Sequence, residues 1–248
     1  MIEFDKLSDY FNEFYDFRPN DDSIYLDLHL HTSASDGYNT PKFFIDFLNE
    51  KKHLISITDH NEIRGAVKIA ELGISVVPGI ELGCEDGFEL LVYFNTFEDL
   101  EEFYAREVEG NKHPYRMART TKDVFYYLDL LEGRGCHISI PHINGMAQKN
   151  FIKNKHYLSE VIKRVDSLET YNHSLSKKRN LTAKDLRKRY DLNATFGSDA
   201  HINREILSFY RFLNMEEKKH HKLMDSLYKV PMLSGLGKKH LVHMFKKK

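Results

Sequence analysis

The chain has 248 residues, 41% of them hydrophobic and 12% aromatic, with no tryptophan and a formal net charge of -1. This length and composition suit a single large domain with a sizeable core. Near-neutrality excludes a global polycation but leaves room for local basic patches. No stretch approaches the roughly 20 apolar residues that a membrane-spanning helix needs. Residues 1–22 are acidic and aromatic and lack the basic start and apolar run of a signal peptide. Cys84 and Cys136 lie far apart in no metal-type spacing and read as reduced thiols. The expectation is a cytoplasmic protein without a membrane partner.

Short β-rich runs alternate with helical patterns along the chain. Ile24–Leu30 reads as a strand, and Pro41 opens a helix to about residue 51, since proline suits a first helical turn. A strand is expected at residues 54–58, and a helix over 62–72 closed by Gly73. Strands follow at 74–77 and 88–94, then a helix over 115–131 and strands at His137–Ile140 and 167–171. A basic helix over 175–190 precedes a strand at 194–197, and helices are expected at 216–228 and from 238 onward. Strand–helix alternation argues for a parallel sheet or barrel. The stretch 96–122 fits that rhythm poorly and reads as an insertion or lid on a core of about 24–205, with 206–248 as a helical extension.

The chemistry begins in the first strand, Leu26-Asp27-Leu28-His29-Leu30-His31. Side chains alternate faces along a strand, so the leucines share one face while Asp27, His29 and His31 share the other. Such a polar face is costly unless it is paired or holds metal. The placement recurs: an apolar run delivers Asp59-His60, another Glu81, another His142, and another Asp199-Ala200-His201. Catalytic groups of α/β barrels gather at the C-terminal ends of the strands, and five such coincidences in one chain are strong evidence for one site.

The motifs His29-Leu30-His31-Thr32, Thr58-Asp59-His60, Gly79-Ile80-Glu81 and Gly197-Ser198-Asp199-Ala200-His201 resemble, in order and spacing, those of the polymerase and histidinol phosphatase (PHP) superfamily. The resemblance runs from about residue 24 to 205. It implies a distorted seven-stranded (β/α) TIM-like barrel with up to three divalent ions and a phosphoesterase activity. Carried over residue by residue, it makes His29, His31, Asp36, His60, Glu81, His142, Asp199 and His201 metal ligands, with Glu81 bridging two ions. Asp59, Asp27 and Glu169 are expected to orient imidazoles from behind. Glu89 stands where many relatives carry a histidine, and a carboxylate there can still bind a hard or borderline ion.

The nitrogen and oxygen donor set without thiolate suits Mn, Zn or Fe. A metal-activated water would attack the phosphorus, and Asp199, His201 and Asp59 are the catalytic candidates. Arg116 and Arg119, three apart on the expected helix, are candidates to hold the substrate phosphate. The run Lys177, Lys178, Arg179, Lys184, Arg187, Lys188 and Arg189 offers either a solvated helix face or a nucleic-acid track. His53, His113, His156, His220, His221, His240 and His243 lack strand-end context and read as surface residues; His173 lies two residues past a strand. The expected substrate is a nucleotide or nucleic-acid end, with a histidinol-phosphate-type small molecule as the alternative. An amidohydrolase acting on C–N bonds and a non-catalytic metal-binding domain are the rivals of other classes. The former is disfavoured by the absence of an evident strand-end lysine, the latter by the filled ligand positions.

Overall fold

The computed structural model describes residues 24–49 and 51–213. The helices expected at 216–228 and from 238, with His220, His221, His240 and His243, lie outside the described residues.

Seven strands form one sheet in chain order, β1 (Ile24–Leu30), β2 (Lys52–Ile57), β3 (Val77–Gly83), β4 (Glu89–Tyr93), β5 (His137–Ile140), β6 (Ser167–Asn172) and β7 (Asn193–Gly197). All neighbouring pairs are parallel except β3–β4 and β4–β5, so β4 alone runs backwards. The sheet then curls until its edges meet. His31 N donates to Ala200 O at 3.1 Å and Asp199 N to His29 O at 2.9 Å, which pairs the end of β1 with the segment after β7. A Cβ at Gly197 would collide with the Cβ of His29, so the seam can close this tightly only on glycine.

Helices cover the outside. They are α1 (Pro41–Leu48), α2 (Arg64–Glu71), α3 (Phe97–Phe103), α4 (Val124–Leu131), α5 (Phe151–Asn154), α6 (Leu158–Ile162), α7 (Lys177–Tyr190) and α8 (Asn203–Leu213). The Thr40 side chain accepts from Phe43 N and caps α1, with Pro41 in its first turn. The alternation read in β1 holds. Leu26, Leu28 and Leu30 pack in one core with Phe44, Phe47 and Leu48 of α1 and Ala66 and Ile69 of α2. A second core joins Ile80, Leu82, Leu90 and Val92 of β3 and β4 to Leu100 and Phe103 of α3 and to Val124, Tyr127, Leu128 and Leu131 of α4. Apolar burial of order 1.5–3 kcal/mol per large side chain lies outside the barrel wall, which leaves the inward face free for polar groups.

Two expected elements are corrected. The strand expected at 74–77 runs instead over Val77–Gly83, because residues 79–83 pair with 93–89 of β4 in a hairpin. That hairpin had a sequence signal in Asp86-Gly87 between two apolar runs. The helix expected over 115–131 begins only at Val124, where Asp123 caps it by accepting from Tyr126 N at 2.8 Å. Upstream the chain makes a loop instead. His113 N donates to Arg119 O at 2.9 Å, and His113 Nδ1 accepts from Tyr115 N and Arg116 N, so Arg116 and Arg119 share no helix face. The irregular stretch before it holds α3, one π-helical turn (Tyr104–Val108) and one 3-10 turn (Glu109–Asn111). Among the described residues no helix is long and apolar enough to cross a membrane.

Candidate metal centre

The inward face of β1 puts His29 and His31 side by side in the barrel mouth, with their rings 5.2 Å apart and wholly buried. The closed seam adds Asp199 and His201; the His31 and His201 rings stack at 4.2 Å. Asp199 sits at φ 57 and His142 at φ 30, left-handed conformations that non-glycine residues rarely hold and that turn each side chain inward. Glu205 fixes the approach to His201 by accepting from its backbone N–H at 2.8 Å, at the start of α8.

Glu81 is the hub. Its Oε2 stands 3.1 Å from His60 Nδ1, 3.3 Å from His31 Nε2 and 3.4 Å from His29 Nε2, while its Oε1 is 3.1 Å from His142 Nε2. Asp199 Oδ1 is 3.4 Å from His31 Nε2 and 3.6 Å from His29 Nε2. Asp36 Oδ2 is 3.2 Å from His201 Nε2 and 3.7 Å from His60 Nε2. Because β4 runs backwards, its first residue rather than its last reaches the mouth, and Glu89 Oε2 lies 3.3 Å from His142 Nε2. Among the described residues, ligand atoms lie within 4.8 Å of one another in the groups His31–Asp36–His60–His201, His29–Glu81–His142, His29–His31–Asp199 and His60–Glu81–Glu89.

These atoms are short of hydrogen bonds. His29 Nε2, both ring nitrogens of His31, His60 Nδ1, Glu81 Oε2, Glu89 Oε2, His142 Nδ1 and Asp199 Oδ1 are buried without a hydrogen-bond partner. Leaving a buried polar atom unsatisfied costs about 1–3 kcal/mol, and most of the orphans among the described residues gather around Glu81. A donor set of imidazoles and carboxylates arranged in this way fits divalent cations.

Charge coupling shapes the cluster. Burial raises the Glu81 carboxyl, but His60, His29 and Lys149 outweigh it and hold the group well below the usual carboxylate range. Burial likewise opposes ionisation of Asp199 and Asp36, and is outweighed by His29 and Lys149 for the first and by His201 and His60 for the second. Burial pushes His60 down to about 4. Burial also disfavours a charged His201, but Asp36 overcomes it and lifts the imidazole to about 10.

The supporting carboxylates divide their work differently from the sequence expectation. Glu169 does orient an imidazole, since His29 Nδ1 lies 2.8 Å from its Oε1; its Oε2 accepts from His142 N and from Asn172 Nδ2. Asp59 touches no imidazole. Its oxygens accept from Thr32 N at 2.7 Å, Thr32 Oγ1 at 2.6 Å and Ser35 Oγ at 2.5 Å, which fastens the turn that carries His31 and Asp36. Asp27 also misses the rings. It accepts from Tyr25 OH, His29 N and Ser198 N and so ties β1 to the residue before Asp199. The reason is directional. Asp59 follows β2, whose end is tied to the end of β1 by Thr58 N donating to Leu30 O at 2.8 Å, and Asp27 lies one pleat before His29 on the same strand face.

Arg119 is at the site but engaged with protein, since its Nη1 donates to Glu89 Oε1 at 2.5 Å and to Ala118 O at 2.6 Å. Arg116 is exposed, and both arginines line a cleft of ≈ 470 Å³ with Gln148, Asn154 and Lys155. His173 lies outside the site, among Tyr171, Phe209 and Phe212. Lys149 was missed by sequence reasoning. Its Nζ reaches to 3.4 Å from both Glu89 Oε2 and His142 Nε2, from a 3-10 turn (Ala147–Lys149) seven residues beyond His142. No spacing rule marks a lysine in a loop; a basic residue within reach of the His142 strand end was the nearest available signal.

A seven-stranded barrel with a buried histidine–carboxylate cluster at its mouth defines a class of metal-binding α/β barrels. Within that class the match is specific: the PHP domain family model aligns with residues 27–231, and the chain belongs to that family. Solved structures share the fold at low identity. A proposed metal-dependent phosphoesterase from Bifidobacterium adolescentis is 17% identical with a TM-score of 0.52, over 71% of this chain and 87% of the other. An amidohydrolase from Chromobacterium violaceum is 15% identical, TM-score 0.52, over 73% and 88%. A lesion-specific endonuclease from Pyrococcus furiosus is 14% identical, TM-score 0.56, over 71% of this chain but 48% of its own. A search of curated proteins finds no match.

Proposed function

We propose that the chain is a metal-dependent phosphoesterase acting on a nucleotide or a nucleic-acid end. The observation that carries the reading is the convergence of orphaned, buried imidazole and carboxylate atoms around Glu81. His29, His31, Glu81 and Asp199 would hold one divalent ion, Glu81, Glu89 and His142 a second, and Asp36, His60 and His201 a third, drawn from Mn, Zn or Fe. Ions so held supply a water deprotonated near neutral pH and neutralise charge on a phosphoryl group.

The protein's own groups do the rest. Glu169 holds the His29 ring with Nε2 toward the centre. Asp59 keeps the His31–Asp36 turn in register, a positioning rather than a proton-transfer role. Asp199 and His201 sit at the exposed edge of the cluster, with side chains 10% and 15% accessible against 0% for His29, so among its imidazoles and carboxylates they are the best placed to meet substrate. Arg116 faces the cleft beside the mouth and would contact an anionic part of the substrate.

The nucleic-acid preference rests on α7. Two members of its basic run are used within the fold: Arg179 Nη1 donates to Asn144 O, and Arg187 Nε to Leu192 O. Lys177, Lys178, Lys188 and Arg189 remain exposed. The N-terminus of α7 follows Ser174, whose Oγ is 3.4 Å from Asp199 Oδ2, so a strand lying along the helix would lead into the site. The likeness to a lesion-specific endonuclease agrees with that direction.

A hydrolysis screen of the Mn- or Zn-supplemented protein tests the reading. Release of phosphate from nucleotides or end-labelled oligonucleotides is expected. Turnover confined to phosphorylated amino alcohols or sugars would establish the small-molecule alternative, and turnover confined to amides would refute phosphoesterase activity.

A further inference from the structure

The segment between β5 and α5 is built with unusual care for a surface loop. Gly145 N donates to Lys149 O at 3.0 Å, and Lys149 N to Met146 O at 3.0 Å. A Cβ on Gly145 would come within 2.6 Å of Lys149 O and 2.8 Å of its Cβ, so the two ends of the loop press together in a way no other residue allows. Ala147 holds a left-handed backbone, φ 49. Asn150 Nδ2 donates to Asn144 Oδ1 at 3.1 Å, and Arg179 of α7 donates to the carbonyls of Asn144 and Gly145. A non-glycine residue in this region costs on the order of 1 kcal/mol, and such strain persists where surrounding contacts over-determine it.

What the loop delivers is the Lys149 ammonium. It stands 3.4 Å from Glu89 Oε2 and from His142 Nε2, longer than the roughly 2.7–2.9 Å of a closed charge-assisted bond. Glu89 Oε2 has no hydrogen-bond partner, and its other oxygen is already taken by Arg119. The lysine is therefore held at the cluster but not consumed by it. Two buried carboxylates, Glu81 and Glu89, face two fixed cations, Arg119 and Lys149. Any divalent ion bound between them leaves this half of the site net positive, which favours an anion as the next ligand.

From this geometry we infer that Lys149 is a substrate-binding residue: the Gly145–Asn150 loop presents its ammonium to a phosphoryl oxygen of the group held at the Glu81–Glu89–His142 position. The assignment rests on the phosphoesterase reading and adds to it a specific anion-binding group. It also gives the strained loop a purpose, because an ammonium on a flexible stem becomes selective only when its backbone is fixed.

The test uses inorganic phosphate as the probe, titrated calorimetrically into the full chain loaded with Mn, with metal content measured by elemental analysis. In Lys149→Met, phosphate affinity is expected to fall by about 10-fold or more, the scale of one hydrogen bond to a charged group. The same variant should bind Mn at least as tightly as wild type, since a positive charge beside the ion is gone. A lysine with a merely structural role would, on removal, lower the two affinities together. Lys149→Arg should recover part of the phosphate binding, and Gly145→Ala, which displaces the loop without touching a ligand, should lower it at unchanged metal content. Equal phosphate affinity in wild type and Lys149→Met overturns the assignment while leaving the phosphoesterase reading intact. Loss of a bound ion in Lys149→Met also overturns it. If the loaded wild type binds no phosphate, the phosphoesterase reading itself fails first.

Discussion

The polar residues of the mouth fall into two groups by what they touch. His29, His31, His60, Glu81, Glu89, His142 and Asp199 present atoms without hydrogen bonds to a common centre, whereas Asp27, Asp59 and Glu169 spend theirs on backbone and side chains behind it. Replacing Asp199 or His201 by alanine should therefore cost more than the ~10–100-fold typical of residues that only orient ligands, with the circular dichroism spectrum unchanged. Turnover near wild type in a fully metallated Asp199→Ala would remove it from the site. A second residue-scale expectation concerns Cys136, whose thiol burial and the nearby Asp166 push up to about 11. Its Sγ lies 3.7 Å from Leu131 O, an acceptor for the protonated form. An acid raised in the folded state favours folding while protonated. That contribution is complete below the ordinary thiol range, near 8.5, and is lost as pH climbs from there through about 11. Urea midpoints should fall over this window, less so in Cys136→Ser, and iodoacetamide at pH 8 should label Cys136 far faster in the unfolded chain.

At the scale of elements, the period-2 pattern made most of the site legible. In β1 the leucines and histidines separate by arithmetic alone, and the candidate ligands that follow β2, β5 and β7 are marked by apolar runs ending in a polar residue. Contacts between loops were not legible. Lys149, Arg119 and the true partners of Asp59 depend on how turns fold over the mouth, and no local pattern encodes that. The backward β4 lay between these cases. Its hairpin had a turn signal at Asp86-Gly87, but reading every strand as parallel hid why Glu89, at a strand's beginning, shares a site with residues at strands' ends. Arg116 and Arg119 failed as a helical pair because Pro114 and the His113 ring impose a turn and Asp123 starts the helix late. The seam offers a test at this scale. Gly197→Ala forces its Cβ onto His29, so it should destabilise the fold by about 1–3 kcal/mol, the usual cost of overpacking, and lower the metal content as His29 shifts. A denaturation midpoint and an elemental analysis that both match wild type would show that the seam has slack.

For the molecule as a whole, stability and ion occupancy should be linked. An ion that binds the folded chain and not the unfolded one stabilises it by about 2.7 kcal/mol at a hundredfold excess over its dissociation constant. At ~2–4 °C per kcal/mol for a chain of this size, Mn or Zn should raise the melting temperature by roughly 5–10 °C, and a chelator should reverse it. A melting curve indifferent to both would mean that the cluster does not take up ions. The outer wall gives the matching control. Phe44 is fully buried between β1 and its covering helix, and Phe44→Ala should cost ~3–5 kcal/mol without altering the number of ions bound per folded chain.

The seam between β1 and the segment after β7 also sets an order of events. Asp27 receives its hydrogen bond from Ser198, 171 residues away, and His29 and His31 meet Asp199 across the same junction. Contacts so distant in sequence form late, because the chain between them must already be arranged before their closure is favourable. A growing chain thus carries seven of the nine candidate ligands, His29 to His142, before Asp199 and His201 leave the ribosome. An ion acquired earlier would be held by a cluster still lacking Asp199 and His201, and closure of the seam would then complete the cage. Stopped-flow refolding with and without Mn should show this as a slow final phase that the ion shortens and that a chain truncated before Ser198 never displays.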